Sequence, residues 1–271
     1  MTDALLPAWF AVTFAVLFGA VIGSFLNVVI WRVPRGMSIV RPASACPECG
    51  RAIAWYDNVP VISYLLLRGR CRNCGARISP RYPLVELATA IAFAGVVAGA
   101  YADSFPASAL PALLFWAAAG IALALIDLDH HRLPDVITLP AYPVTAALLL
   151  LASLLTGDYG RLLGALVGLV ALGGLYLLLH AVRPDGMGLG DVKLAGSLGM
   201  LLGWLGWAQL IVGGFSSFLI GGLVGIGLML TGRAGRKSGV PFGPFMLVGA
   251  AVGVFAGAAV AELYLSLTGL A

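Results

Sequence analysis

Residues 186–207 read GMGLGDVKLAGSLGMLLGWLGW. A glycine-spaced approach ends on Asp191, and a run of Leu, Ala, Gly and Met follows it. A carboxylate at the mouth of an apolar segment costs free energy unless something requires it. Reading outward, the same composition continues in both directions. Of 271 residues, 61% are hydrophobic and only 10% charged, whereas soluble domains average about 25% charged residues. The sequence therefore predicts an all-α polytopic membrane protein. No separate stretch is large enough to hold a soluble core.

A spanning helix needs about 20 mostly apolar residues. About eight candidates satisfy this, near 8–30, 84–101, 107–126, 136–156, 161–181, 191–206, 208–231 and 242–266. The sixth is short, Gly-rich and turns directly into the seventh. The first ten residues, MTDALLPAWF, lack the basic n-region of a cleavable signal, so the first apolar stretch is expected to be retained as a helix. The predicted organisation is a first transmembrane helix (1–30), a four-cysteine loop (31–83) and a seven-helix membrane domain (84–271). Neither an internal repeat nor a low-complexity tract is expected.

Basic residues set the orientation. Nine arginines fall between the first two spans: Arg32, Arg35, Arg41, Arg51, Arg68, Arg70, Arg72, Arg77 and Arg81. Arg132, Arg183, Lys193, Arg233, Arg236 and Lys237 fall on the same side if there are eight spans, and only Arg161 falls opposite. The positive-inside rule makes the majority side cytoplasmic and places both termini outside. Small residues four apart, Gly164 and Gly168, Gly221 and Gly225, and Gly249, Gly253 and Gly257, predict close helix packing in lipid.

The cytoplasmic loop carries CPECG (46–50) and CRNCG (71–75), with 21 residues between the two cysteine pairs. Cys46, Cys49, Cys71 and Cys74 offer four thiolates for a tetrahedral structural zinc. The spacing is slightly long for such a site. Disulfides suit a reducing cytosol poorly, and a redox pair lacks its βαβ context. The stretch VPVISYLLL is too short to span, and either lies in the membrane interface or packs on the cysteine knuckles. With so many arginines nearby, the loop is expected to sit against anionic headgroups.

Most acids have ordinary settings. Asp3, Asp103, Asp158 and Glu262 lie near external ends or loops, and Glu48 and Asp57 lie in the cytoplasmic loop. Asp127 closes the third span and Asp191 opens the sixth, at similar depth on the cytoplasmic side. Two carboxylates brought together can share a proton, as aspartic peptidases require. Glycines before Asp191, Gly188 and Gly190, would let a substrate backbone approach. Alternatively, Asp191 is a solvent-facing helix N-cap, Asp127 is a membrane-edge acid offset by His130, His131 or Arg132, or both acids serve an ion pathway, as in a proton-coupled transporter. Asp127, His131 and Asp135 are four apart, but Pro134 interrupts that helix. Lys193, two residues after Asp191, projects from a different helical face and is not expected to pair with it.

Five segments together carry a resemblance: GSFLNVVIWRVP (23–34), the two cysteine knuckles, ISPRYPLVELATA (78–90), IDLDHHRLPD (126–135) and GMGLGDVKL (186–194). In that order, over nearly the whole chain, they resemble the bacterial type IV prepilin peptidases, also known as leader peptidase–methyltransferases, a family of GxGD intramembrane aspartic peptidases. The resemblance implies a multi-pass protein of the bacterial inner membrane. It would cut a short basic leader, after Gly, from type IV prepilin or type II secretion pseudopilin precursors at the cytoplasmic face. It also implies N-methylation of the new N-terminus with S-adenosylmethionine, and no nucleic-acid partner. The family's catalytic aspartates fall on Asp127 and Asp191. Asp129, Asp135 and Glu86 become supporting residues, the first two for the basic leader. Glu86 and Asn27 are expected to face one internal cleft, although Asn27 could simply bond between helices.

Overall fold

The structure is a computed structural model that describes residues 6–184, 186–232 and 240–269. Asp3, Arg233, Arg236 and Lys237, named above, lie outside the described residues. The described chain is helical: α1 (Ala8–Arg32), α2 (Ile62–Leu66), α3 (Arg81–Tyr101), α4 (Leu110–His130), α5 (Asp135–Thr156), α6 (Gly160–Val182), α7 (Leu189–Leu205), α8 (Trp207–Leu230) and α9 (Gly243–Thr268). Proline marks several starts: Pro7 precedes α1, Pro134 precedes α5, and prolines occupy the first turns of α4 and α9. There the missing N–H costs nothing. Seven of these helices are long and apolar enough to cross a membrane. The remaining predicted span, the sixth, is α7, a helix of 17 residues.

Two compact units divide the chain: Met1–Ala102 with Leu113–Ala122, and Asp103–Ala112 with Leu123–Ala271. In the first unit, α1 lies against α3 because α1 presents glycine where the two backbones meet. A Cβ on Gly23 would sit 2.6 Å from the Cα of Glu86, and one on Gly19 would sit 2.9 Å from the Cα of Ala90. Asn27 Nδ2 donates to the Tyr82 carbonyl at 3.1 Å. The interhelical bond considered for Asn27 is therefore formed.

In the second unit, α6 and α7 meet through reciprocal glycines. Side chains at Gly164 and Gly168 would overlap the carbonyls of Gly203 and Gly199, and the converse holds. Likewise Gly249, Gly253 and Gly257 of α9 abut Ser217, Gly213 and Gln209 of α8. Gly221 accommodates the Phe242 ring, whereas a Cβ on Gly225 would have nothing within 4 Å. The four-residue spacing thus marks packing at every predicted glycine except Gly225. Polar bonds tie α5 to α7: Tyr142 Oη donates to the Lys193 carbonyl at 2.7 Å, and Trp204 Nε1 donates to Ser153 Oγ at 2.9 Å. Interhelical hydrogen bonds of this kind average only about 0.6 kcal/mol. Within this unit α7 is enclosed, with every residue from Leu194 to Leu205 buried.

Candidate active site and metal site

Asp127 lies in the last turn of α4 and is 4% exposed. Its Oδ2 accepts the backbone N–H of Gly243 at 3.0 Å. Gly243 opens α9, so this N–H belongs to the orphan donors of a helix start. A side chain at this position is sterically barred, since a Cβ would lie 2.7 Å from the same carboxylate oxygen. Aromatic packing seats this helix end. Phe242 meets Phe218, Phe245 and Tyr176, with ring centroids 5.5, 6.0 and 6.1 Å away.

Asp191 stands at the third position of α7, and its Oδ2 accepts the Gly188 N–H at 3.1 Å. It is therefore not the N-cap; Gly188 holds that place. Asp127 and Asp191 are close enough to act on each other electrostatically. Each carboxylate thus rests on a different helix N-terminus, Asp127 on α9 and Asp191 on α7. The positive end of a helix stabilises a nearby anion by about 0.3–2 kcal/mol, which offsets part of the repulsion between the two. Asp191 also acts on the buried Tyr176 hydroxyl, which meets Ser217.

Gly190 plays a different part from the one expected. A Cβ there would lie 3.0 Å from Leu133 Cβ, and one at Gly243 would lie 3.2 Å from Leu133 Cδ2. The space left by Gly190 is occupied by the protein's own Leu133, wedged between Gly190 and Gly243, and not by open room for a substrate backbone. His131 ends α4 in the left-handed conformation (φ 50°) and donates its N–H to the Asp127 carbonyl at 2.8 Å. α5 starts afresh at Asp135, as the proline implied. Lys193 pairs with Asp135 at 2.6 Å and not with Asp191. Asp129 is exposed at the end of α4.

Gly243 escaped the reading of the sequence. Its signal was VPFGPF (240–245), a glycine between two prolines at the head of an apolar span. Glu86 belongs to the first unit, where its Oε2 accepts the Val61 N–H at 2.7 Å and its carboxylate also meets Ser24. Glu86 and Asn27 line one cleft of about 1270 Å³ in that unit.

The cysteine loop is a repeat that the sequence reading passed over: CPECGRAI (46–53) and CRNCGARI (71–78) align without a gap, with both cysteines, the glycine and the isoleucine in common. In the first, Cys46 N–H donates to Arg51 O, Gly50 N–H to Cys46 O and Ile53 N–H to Ser44 O. In the second, Cys71 N–H donates to Ala76 O, Gly75 N–H to Cys71 O and Ile78 N–H to Gly69 O. Gly50 and Gly75 turn each knuckle at φ 68° and 72°, a region glycine enters freely. The four sulfurs lie within 4.8 Å of one another, and Cys46 Sγ is 3.8 Å from Cys74 Sγ. A tetrahedral zinc with Zn–S bonds of about 2.3 Å requires sulfurs about 3.8 Å apart, so this donor set fits such an ion. Backbone amides of Cys74 and Asn73 hold Cys71 down at about 7. Although the Ala76 amide favours the Cys74 thiolate, burial and the neighbouring Cys71, Cys49 and Cys46 thiols push Cys74 up to about 12. Beside the knuckles, the Arg72 guanidinium holds Asp57 below the usual carboxylate range through hydrogen bonds of 2.6–3.0 Å.

These features define a class: a multi-pass helical membrane protein with two carboxylates seated on helix N-termini in one unit and four clustered thiols in the other. Comparison with known proteins places the chain within that class. The bacterial peptidase A24 N-terminal domain matches residues 17–100, and the type IV leader peptidase family matches residues 112–230. A prepilin leader peptidase/N-methyltransferase of Pseudomonas aeruginosa is 35% identical over 94% of this chain and 93% of its own length. One of Myxococcus xanthus is 42% identical over 88% and 70%, and one of Aeromonas hydrophila is 36% identical over 95% of each. The chain belongs to the type IV leader peptidase family. No solved structure matches it.

Proposed function

We propose that this protein removes the leader from type IV prepilin-like precursors and methylates the new N-terminus, with Asp127 and Asp191 as the catalytic pair. The observation that carries the peptidase reading is the joint seating of the two carboxylates, each on a backbone amide at a helix start. The amides hold both groups through Oδ2, which leaves the two Oδ1 atoms to exchange protons. One carboxylate takes a proton from water as the water oxygen attacks the scissile carbonyl carbon, and the protonated partner donates to the carbonyl oxygen. The tetrahedral intermediate then collapses, the C–N bond breaks, and the amine leaves with a proton from the dyad. A transporter using the same acids finds no support in the names of the relatives.

The finer reading follows the charge pattern. The dyad faces the cytoplasm of a bacterial inner membrane and both termini lie outside, because fifteen of the sixteen Lys and Arg residues share one side when eight spans alternate. The parts are the first helix (1–30), the cysteine loop (31–83) and the peptidase domain (84–271). A structural zinc on Cys46, Cys49, Cys71 and Cys74 holds the loop, and with four protein ligands it has no open position for chemistry. S-adenosylmethionine supplies an electrophilic methyl group to the released amine. The first unit's cleft is where it would bind, with rings at Trp31, Tyr56 and Tyr82 for the adenine and the Glu86 carboxylate for its polar groups. Substrates include type II secretion pseudopilins as well as prepilins. Asp129, exposed at the end of α4, meets the basic leader.

The test is one assay. Purified full-length protein is mixed with a synthetic precursor peptide and S-adenosylmethionine, and the products are read by mass. Leader loss together with an added methyl group is expected. An intact peptide would overturn the peptidase reading, and cleavage without methylation would remove the second activity.

A further inference from the structure

We infer that Val59–Leu67 is a wedge that enters the headgroup–acyl boundary of an anionic bilayer, and that Glu86 sets its depth. Ile62, Leu65 and Leu66 occupy positions i, i+3 and i+4 of α2, one face of a helix, and all three are exposed, Leu66 by 78%. Trp55, 83% exposed, precedes them. Exposed Arg68 and Arg70 follow at once, and exposed Arg51 and Arg77 stand on the two knuckles. Apolar residues on one face, an indole and flanking arginines are the marks of a segment lying in an anionic interface.

The height of the segment is fixed by the helices it touches. Arg32, Arg35 and Arg81, with Trp31 and Tyr82, end α1 and begin α3, and such residues mark the headgroup level. Glu86 comes five residues after Arg81, or about 7.5 Å further along α3 at 1.5 Å per residue. The Val61 N–H reaches it at 2.7 Å. The chain therefore dips back beside the helices instead of projecting away, to a depth within the roughly 5–10 Å at which interfacial helices bury their apolar face.

The backbone at the tip is strained. Val61 has φ 60° and ψ −48°, and Ile62 N–H bonds to Pro60 O at 2.5 Å. This is the rare γ-turn of positive φ, which a β-branched residue adopts only when its surroundings impose it. The turn points the Val61 N–H at a buried carboxylate, and that bond satisfies a donor which lipid could not.

The experiment uses the full-length protein in nanodiscs of phosphatidylcholine with phosphatidylglycerol, brominated either near the headgroup or near the chain end. The reporter is the fluorescence added by Leu66→Trp over wild type, with Leu65→Trp as a second reporter. Bromine near the headgroup should quench the added indole at least about twofold more than bromine at the chain end. Glu86→Ala should at least halve that quenching, and Glu86→Gln should preserve it, because its amide oxygen still accepts the Val61 N–H. Absence of quenching at both reporters, in protein whose thermal melt matches wild type, overturns the wedge. Cross-linking of Leu66 to a second copy would overturn it too. Unchanged quenching in discs lacking phosphatidylglycerol overturns the anionic preference.

Discussion

The two units treat polar groups in opposite ways. In the first, four thiols come together on a loop outside the spans, held by amides of short turns, and α1 and α3 serve as a frame. In the second, two carboxylates sit at the ends of buried helices, and their positions depend on glycines and aromatic rings many residues away. A thiol site can be built from local turns because an ion supplies the cohesion. A carboxylate pair repels itself, so the surrounding fold has to supply the opposing charge and the rigidity.

If this contrast is right, damage to one unit should leave the other's chemistry standing. The largest effect is expected from Asp127→Asn and Asp191→Asn, each lowering the cleavage rate by on the order of 10³–10⁴, with the double variant no worse than either single. Methylation of a precleaved peptide should persist in both. Near-wild-type turnover in either would remove that aspartate from the pair and turn attention to Asp129 or Asp135. Next comes Gly243→Ala, which forces a methyl group onto the Asp127 carboxylate. Cleavage should fall about 10²-fold, the cost of a small misplacement of a catalytic group, while methylation and metal content hold. Unimpaired cleavage here would show that the Gly243 amide does not position Asp127.

Cys46→Ser should act in the other unit. Zinc, measured as about one per chain in the wild type, should be lost, and residues 36–80 should become open to proteolysis before cleavage by the dyad declines. The same loss should follow from lowering the pH, because protons compete with the metal for thiolates. Metal-free wild-type protein with the loop still resistant would refute this. The smallest effect belongs to Lys193→Met. Its ion pair with Asp135 is a third to more than half exposed, and such pairs contribute about 0–1 kcal/mol. Cleavage should weaken only a few-fold, mostly through KM; a collapse of kcat would instead place the pair inside the chemistry.

The helices were legible because hydropathy reports them directly: the observed ends lie within a few residues of the predicted ones. The prominence of Asp127 and Asp191 was legible too, since an acid at the edge of an apolar run stands out. Gly243 was not, because its contribution is an N–H and a missing side chain, delivered 116 residues from Asp127. Gly190 was misread for a related reason. A glycine shows that something needs room, and only the structure shows that the occupant is Leu133. The knuckle repeat was visible as letters, but its meaning lies in backbone bonds that recur at the same offset.

The enclosure of α7 has a consequence for the lipid around it. A helix that faces lipid must match hydrocarbon thickness, by tilting or by deforming the bilayer. From Leu194 to Leu205, α7 meets protein instead, and its height is indexed to the glycines of α6. Asp191 therefore keeps its level by reference to its neighbours. Membranes of longer or shorter acyl chains act on this carboxylate only through α6 and the other helices packed around α7, and move it together with them.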